Sequence, residues 1–151
     1  PGEDVMSEEI RTYIAVLNDQ RDQMKKLLTE LPQEALDWRP IQGQGELATN
    51  SPAALAAHLA GAETFWMKEI IAGQRIQRDR EAEFAIRGKT AAELKAMLDN
   101  AAKKTEEVIT SLDPRQLEEN RTWRDRLVSV RWAILHVIEH FALHIGHMSR
   151  R

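Results

Sequence analysis

Apolar residues recur at intervals of three and four along most of the chain, with polar residues between them, the pattern of amphipathic helices sharing one core. The first such stretch runs from Ser7 to Leu31, where Ile10, Tyr13, Ile14, Leu17, Met24, Leu27, Leu28 and Leu31 form one face and Pro32 ends it. Ser7 is placed to cap this helix, followed by Glu8 and Glu9 in the turn where the helix dipole favours negative charge. Between Pro32 and Asn50 the periodicity fades and prolines and glycines appear, so this segment reads as a long connection with Trp38 as an apolar anchor in polar company.

A second helix is predicted from Ser51, with Pro52 in its first position, through Leu55, Leu59, Phe65, Trp66 and Ile70 to Gly73. One polar residue, His58, interrupts its apolar stripe. A charged segment follows, Arg75 to Lys89. Thr90 then precedes Glu93 at the capping-box offset, and Leu94, Met97, Leu98, Ala101, Val108, Ile109 and Leu112 carry a third helix to Asp113-Pro114. The last helix is predicted from about Leu127 to the C-terminus, and Ser129 reads as a surface or cap residue. Four long helices imply an all-α four-helix bundle in which residues 1–151 form a single domain. An up-down arrangement of neighbours is expected only where connections are short, so the long link after the first helix leaves the topology open.

Composition narrows the function. The chain has 151 residues, 42% of them hydrophobic, and a domain of this length buries about 68–70% of the surface its unfolded chain exposes, enough for one core. Its 21 basic and 24 acidic residues give a net charge of −3, which disfavours a broad nucleic-acid surface. No apolar run approaches the roughly 18 to 20 residues of a membrane span, and the acidic start Pro-Gly-Glu-Asp lacks signal-peptide character, so a cytoplasmic protein is expected. The start at Pro1 rather than Met suggests a processed or engineered end, and the first few residues carry no weight here. The absence of cysteine removes disulfides, thiolate metal sites and a cysteine nucleophile together.

Four of the five histidines, His136, His140, His144 and His147, fall in the last helix. With His136 at zero, a turn of about 100° per residue puts His147 near 20°, His140 near 40° and His144 near 80°, one imidazole stripe along the border of the apolar face. Imidazoles at i and i+4 can reach one ion, and neutral imidazole suits zinc, nickel, copper and iron. The natural further ligand is His58, on an apolar stripe that faces the same core. Three protein ligands with one open position define a catalytic metal site. A single histidine on an apolar face is more often a hydrogen-bonded core residue, and histidines at a helix end can also serve the helix dipole. Four in twelve residues, with a fifth on another apolar stripe, favour a metal.

The metalloprotease motif is absent because Phe141, not Glu, follows His140, and no Glu precedes any histidine by three, which excludes the di-iron bundle pattern. A serine triad lacks its glycine elbow. Carboxylates such as Glu63 are candidates to orient an imidazole N–H. The tryptophans, Trp38, Trp66, Trp123 and Trp132, are candidates to line a substrate pocket, but such residues are more often core or staple residues, and no role is assigned to them.

Three segments in order, Leu36-Asp-Trp-Arg-Pro40, His58-Leu-Ala-Gly-Ala-Glu-Thr-Phe-Trp66 and His136-Val-Ile-Glu-His-Phe-Ala-Leu-His-Ile-Gly146, give the sequence its family likeness. It resembles the DinB-like, or thiol S-transferase, superfamily of metalloenzymes, which includes mycothiol- and bacillithiol-dependent enzymes. The resemblance implies a four-helix bundle with a long connection between its first two helices. It also implies a divalent metal, zinc or nickel, held by His58, His140 and His144, with His136 a neighbour. The position after Gly146, often Gln in such proteins, is His147 here.

The implied activity is transfer of a low-molecular-weight thiol to a small electrophilic substrate. With no cysteine in the chain, the sulfur must arrive with a cofactor. Hydrolysis at the same metal site, or a non-catalytic metal- or ligand-binding bundle, are the alternatives. A small-molecule substrate, no nucleic acid, no membrane and a homodimer complete the expectation.

Overall fold

The computed structural model describes residues 6–40 and 49–149. The acidic start, the glycines of the long link and the last two residues of the fourth predicted helix lie outside the described residues.

Helix α1 spans Glu8–Glu30, and the Ser7 hydroxyl accepts from Ile10 N at 3.2 Å as expected of its cap. Helix α2 covers Pro52–Thr64 with Ser51 accepting from Ala54 N, and it passes into a π-helical turn, Phe65–Ile71. That turn ends at Gly73, whose φ of 72° is the left-handed conformation that closes helices, while Gln74 N reaches back to Lys68 O at 2.8 Å. A short α3, Arg80–Ala85, starts on the Asp79 side chain within the charged segment. Helix α4, Ala91–Thr110, opens with the capping box of Thr90 and Glu93. Helix α5 spans Val130–Ser149.

The last helix begins three residues later than the periodicity suggests. Asn120–Trp123 (β1) and Arg126–Ser129 (β2) pair as an antiparallel hairpin, and Leu127, in β2, is exposed. Ser129 accepts from Trp132 N at 3.0 Å, so it caps α5. Trp38 is 53% exposed and is not the anchor of the long link; Leu36 is, buried at 1% with its carbonyl accepting from Ala53 N.

Helix α1 packs against α4 and α5, and α2 packs against the same two, so α1 and α2 lie across a diagonal of the bundle. Lys25 pairs with Asp99 and Lys95 with Thr29, which makes α1 and α4 antiparallel. Glu9 meets Arg131 and Gln20 meets the carbonyl of Ile138, so α1 and α5 run parallel. Helices α2 and α4 also run parallel, with Thr105 beside Glu63 and Glu107 beside Lys68, whereas His58 facing His140 and Trp66 facing His136 make α2 and α5 antiparallel. Diagonal or parallel partners cannot be joined by tight turns, which accounts for three long connections.

The core is built around α2, which is buried on all sides from Pro52 to Ala60. Its alanines let the neighbouring helices approach closely and bring His58 into the interior at 5% exposure. One ion pair is buried with it: Arg21 on α1 donates to Glu63 at 2.5 Å, and Thr105 on α4 donates to the same carboxylate oxygen. Burial pushes the Glu63 carboxyl up, while Arg21 and Thr105 pull it back. Among the described residues no helix is long and apolar enough to cross a membrane.

Candidate metal centre

The antiparallel contact of α2 with α5 places His58 opposite His140, and one turn along α5 adds His144. His58 Nε2 lies 2.9 Å from His140 Nε2, and His144 Nε2 lies 3.1 Å from the same atom. The three ligand atoms fall within 4.8 Å of one another. Metal–nitrogen bonds of about 2.0–2.1 Å set the nitrogens of a tetrahedral site about 3.3–3.4 Å apart, close to the two separations from His140 Nε2.

The protonation states favour the same reading. Burial, reinforced by the neighbouring imidazoles, holds His140 down to about 3, and burial with His58 and His147 holds His144 at about 4. Both are neutral near pH 7 and offer lone pairs rather than positive charge. A hydrogen bond could tie one N–H to one partner, but three ring nitrogens converging on a point leave more acceptors than donors, which a cation satisfies.

His58 is oriented from behind. Its Nδ1 lies 3.1 Å from Oε1 of Glu83 on α3. Arg78 donates to both oxygens of Glu83, at 2.8 and 2.9 Å. Burial pushes the Glu83 carboxyl up, but the hydrogen bonds from His58 and Arg78 outweigh it and hold it low, so it is a carboxylate. A carboxylate at Nδ1 makes that nitrogen the donor and leaves Nε2 unprotonated, facing His140. The orienting role expected of Glu63 therefore falls to Glu83, because Glu63 is engaged by Arg21 and Thr105 on the α1–α4 side of α2.

The other two histidines of the stripe do different things. His136 stacks on Trp132 at 4.8 Å and 9° between planes and touches Trp66, while burial lowers its pKa. It stands outside the triad. His147 is exposed, and its Nδ1 lies 3.4 Å from Nδ1 of His144, on the nitrogen that does not face His140.

A cavity of about 480 Å³ opens beside His58 and His140, walled by Trp66, Trp123 and His136 and edged by Arg78, Arg80 and Arg124. Trp66 and Trp123 thus line the cavity, and Trp66 is at the same time part of the core at 6% exposure. Trp123 is placed there by the hairpin, whose Arg124-Asp125 turn has no glycine to announce it. Glu83 and Arg78 were hidden in the charged segment, where Asp79 three residues before Ala82 is the only local sign of a helix start.

Several solved structures share its fold at low identity. A DinB-like protein from Bacillus cereus is 14% identical with a TM-score of 0.72, covering 91% of this chain and 86% of its own. The DinB-like YjoA from Bacillus subtilis is 17% identical with a TM-score of 0.67, at the same coverages of 91% and 86%. YfiT from Bacillus subtilis, described as a probable metal-dependent hydrolase with an unusual four-helix bundle topology, is 18% identical with a TM-score of 0.67, covering 100% of this chain and 91% of its own. No match was found among curated proteins. The family model for mycothiol S-transferase matches residues 12–150, nearly the whole chain. The ordered histidine motifs and this match agree, and the chain, which shares the fold of the DinB-like structures, belongs to the mycothiol S-transferase family.

Proposed function

We propose that this protein is a divalent-metal enzyme that transfers a low-molecular-weight thiol to a small electrophile, with zinc or nickel held by His58, His140 and His144. The observation that carries this is the convergence of three Nε2 atoms beside a cavity of about 480 Å³. When bound, a divalent ion supplies the positive charge that keeps a thiol in its thiolate form near neutral pH.

The chain's own residues do the rest. Glu83 and Arg78 fix the His58 ring, and the low basicity of His140 and His144 keeps both available as donors. Trp66, Trp123 and His136 provide an apolar wall that limits water around the reacting sulfur and carbon. The sulfur comes from the cosubstrate, since the chain has no cysteine. A sulfur–carbon bond forms, the leaving group departs with the bonding pair, and the thiol proton passes to solvent.

Hydrolysis with water as nucleophile is the second reading, favoured by the description of YfiT. The test is consumption of thiol with a haloarene as acceptor by metal-loaded protein. Turnover that requires thiol supports the transferase; equal turnover without thiol supports the hydrolase.

A further inference from the structure

The cavity beside the triad holds more cationic side chains than carboxylates to neutralise them. Of its three arginines, Arg78 is committed to Glu83. The Glu69 carboxylate also lines the cavity and accepts from Ile76 N at 3.3 Å. Among the described residues neither Arg80 nor Arg124 forms an ion pair. Their contacts are aromatic: the Arg80 guanidinium lies 5.7 Å from the Phe84 ring centre and that of Arg124 lies 4.7 Å from the Trp123 ring centre.

Arg124 also has a φ of 57°, a left-handed backbone conformation in which glycine or asparagine is the usual occupant. A hairpin turn that keeps a long cation in that conformation aims it at the cavity rim at the expense of local backbone preference. The same cavity is lined by flat rings, with Trp66 and Trp123 centred 4.9 Å apart and Trp123 and His136 5.7 Å apart.

We propose that the small molecule taken into this cavity is a flat, unsaturated or aromatic anion, its carboxylate or phosphate held by Arg80 and Arg124 and its body laid against Trp123, Trp66 and His136. Guanidinium groups suit both oxyanions because their planar fork matches two oxygens at once. This rests on the reading of the cavity as the substrate site and names the class of substrate.

The test uses metal-free, isotope-labelled protein at mildly alkaline pH. Its tryptophan indole N–H signals are followed while 2-naphthoate, 2-naphthyl phosphate and the neutral 2-naphthamide are titrated separately. At least one anion is expected to bind about tenfold or more tighter than the amide, the ratio a charge-assisted hydrogen bond supplies. Arg124→Gly, which suits the backbone conformation and so retains the fold, is expected to lose most of that preference, and Arg80→Gln part of it, with amide affinity unchanged within about twofold. Equal affinities for acid and amide, no binding of any probe, or a preference that survives both replacements together would overturn the proposal. Metal loading of each variant is measured separately. Failure of the anion preference leaves the three-histidine reading standing, and failure of metal loading leaves the anion site standing.

Discussion

A β-carbon at Gly61 would lie 1.9 Å from Oε2 of Glu83, so the bare backbone of α2 at that point is what admits the carboxylate that orients His58. The displaced group is the tip of a flexible side chain, and alanine is otherwise the better helix former, so Gly61→Ala should fold with stability unchanged or slightly raised. With Glu83 pushed off Nδ1, zinc affinity measured by competition with a chromogenic chelator should fall about 10- to 100-fold, the usual effect of losing a carboxylate behind a ligating histidine. Glu83→Gln should lower affinity in the same direction. Wild-type affinity in both variants would show that Glu83 does not orient His58.

The four histidines of α5 should separate cleanly in metal loading. His144→Ala should abolish tight binding, whereas His136→Ala should retain it, because its ring is stacked on Trp132 outside the triad. His147→Ala should also retain it, since that side chain meets the far nitrogen of His144. Loss on replacing His136 with retention on replacing His144 would mean that the ligand register on α5 is wrong.

The Arg21–Glu63 pair is 3% and 0% exposed and links α1 to α2 across the core, with Thr105 adding α4. Removing one partner leaves the other buried and uncompensated. Arg21→Met should destabilise the fold by about 3–5 kcal/mol in urea unfolding. Glu63→Gln should leave metal stoichiometry unchanged if it folds, since Glu63 does not touch the histidines; metal loss by a folded Glu63→Gln protein would return the orienting role to Glu63.

Acid should weaken the contact between the two parallel helices α1 and α5. Hydrogen bonds from Arg131 and then Tyr13 hold Glu9 at about 2, below its ordinary 4.5. The folded state binds the Glu9 proton less readily than the unfolded chain. The contribution of Glu9 is therefore fully present above the unfolded value of 4.5 and is lost as pH falls from there towards about 2. Both side chains are 36% exposed, so solvent screening keeps the effect small. Glu9→Gln should be less stable than wild type at neutral pH, with the difference vanishing near the acid end; a difference that persists there would show that the carboxylate charge is not its source.

Periodicity and caps located all four long helices, because Ser7, Ser51 and the Thr90–Glu93 box are local signals whose physics does not depend on the rest of the chain. Helical geometry puts all four histidines of α5 in one sector and an apolar α2 against the core, but the choice of His58, His140 and His144 among them rests on the family resemblance, and these three are the ones the fold brings together. What supports the triad was not legible. Glu83 reaches His58 only because a segment 25 residues away folds back over Gly61, and a glycine inside a helix does not say what approaches it. Trp38 misled because its neighbour Leu36 fills the buried position instead. The hairpin before α5 escaped because its turn, with Arg124 at positive φ, lacks the glycine or asparagine that marks such turns.

The most direct measurement is the metal content of purified protein after exposure to zinc, nickel and manganese and removal of loosely bound ions, with His140→Ala as the paired control. About one equivalent of one of these metals per wild-type chain is expected, with loss of it in His140→Ala. Less than about a tenth of an equivalent in the wild type, or full loading of the folded His140→Ala variant, would contradict a metal held by His58, His140 and His144.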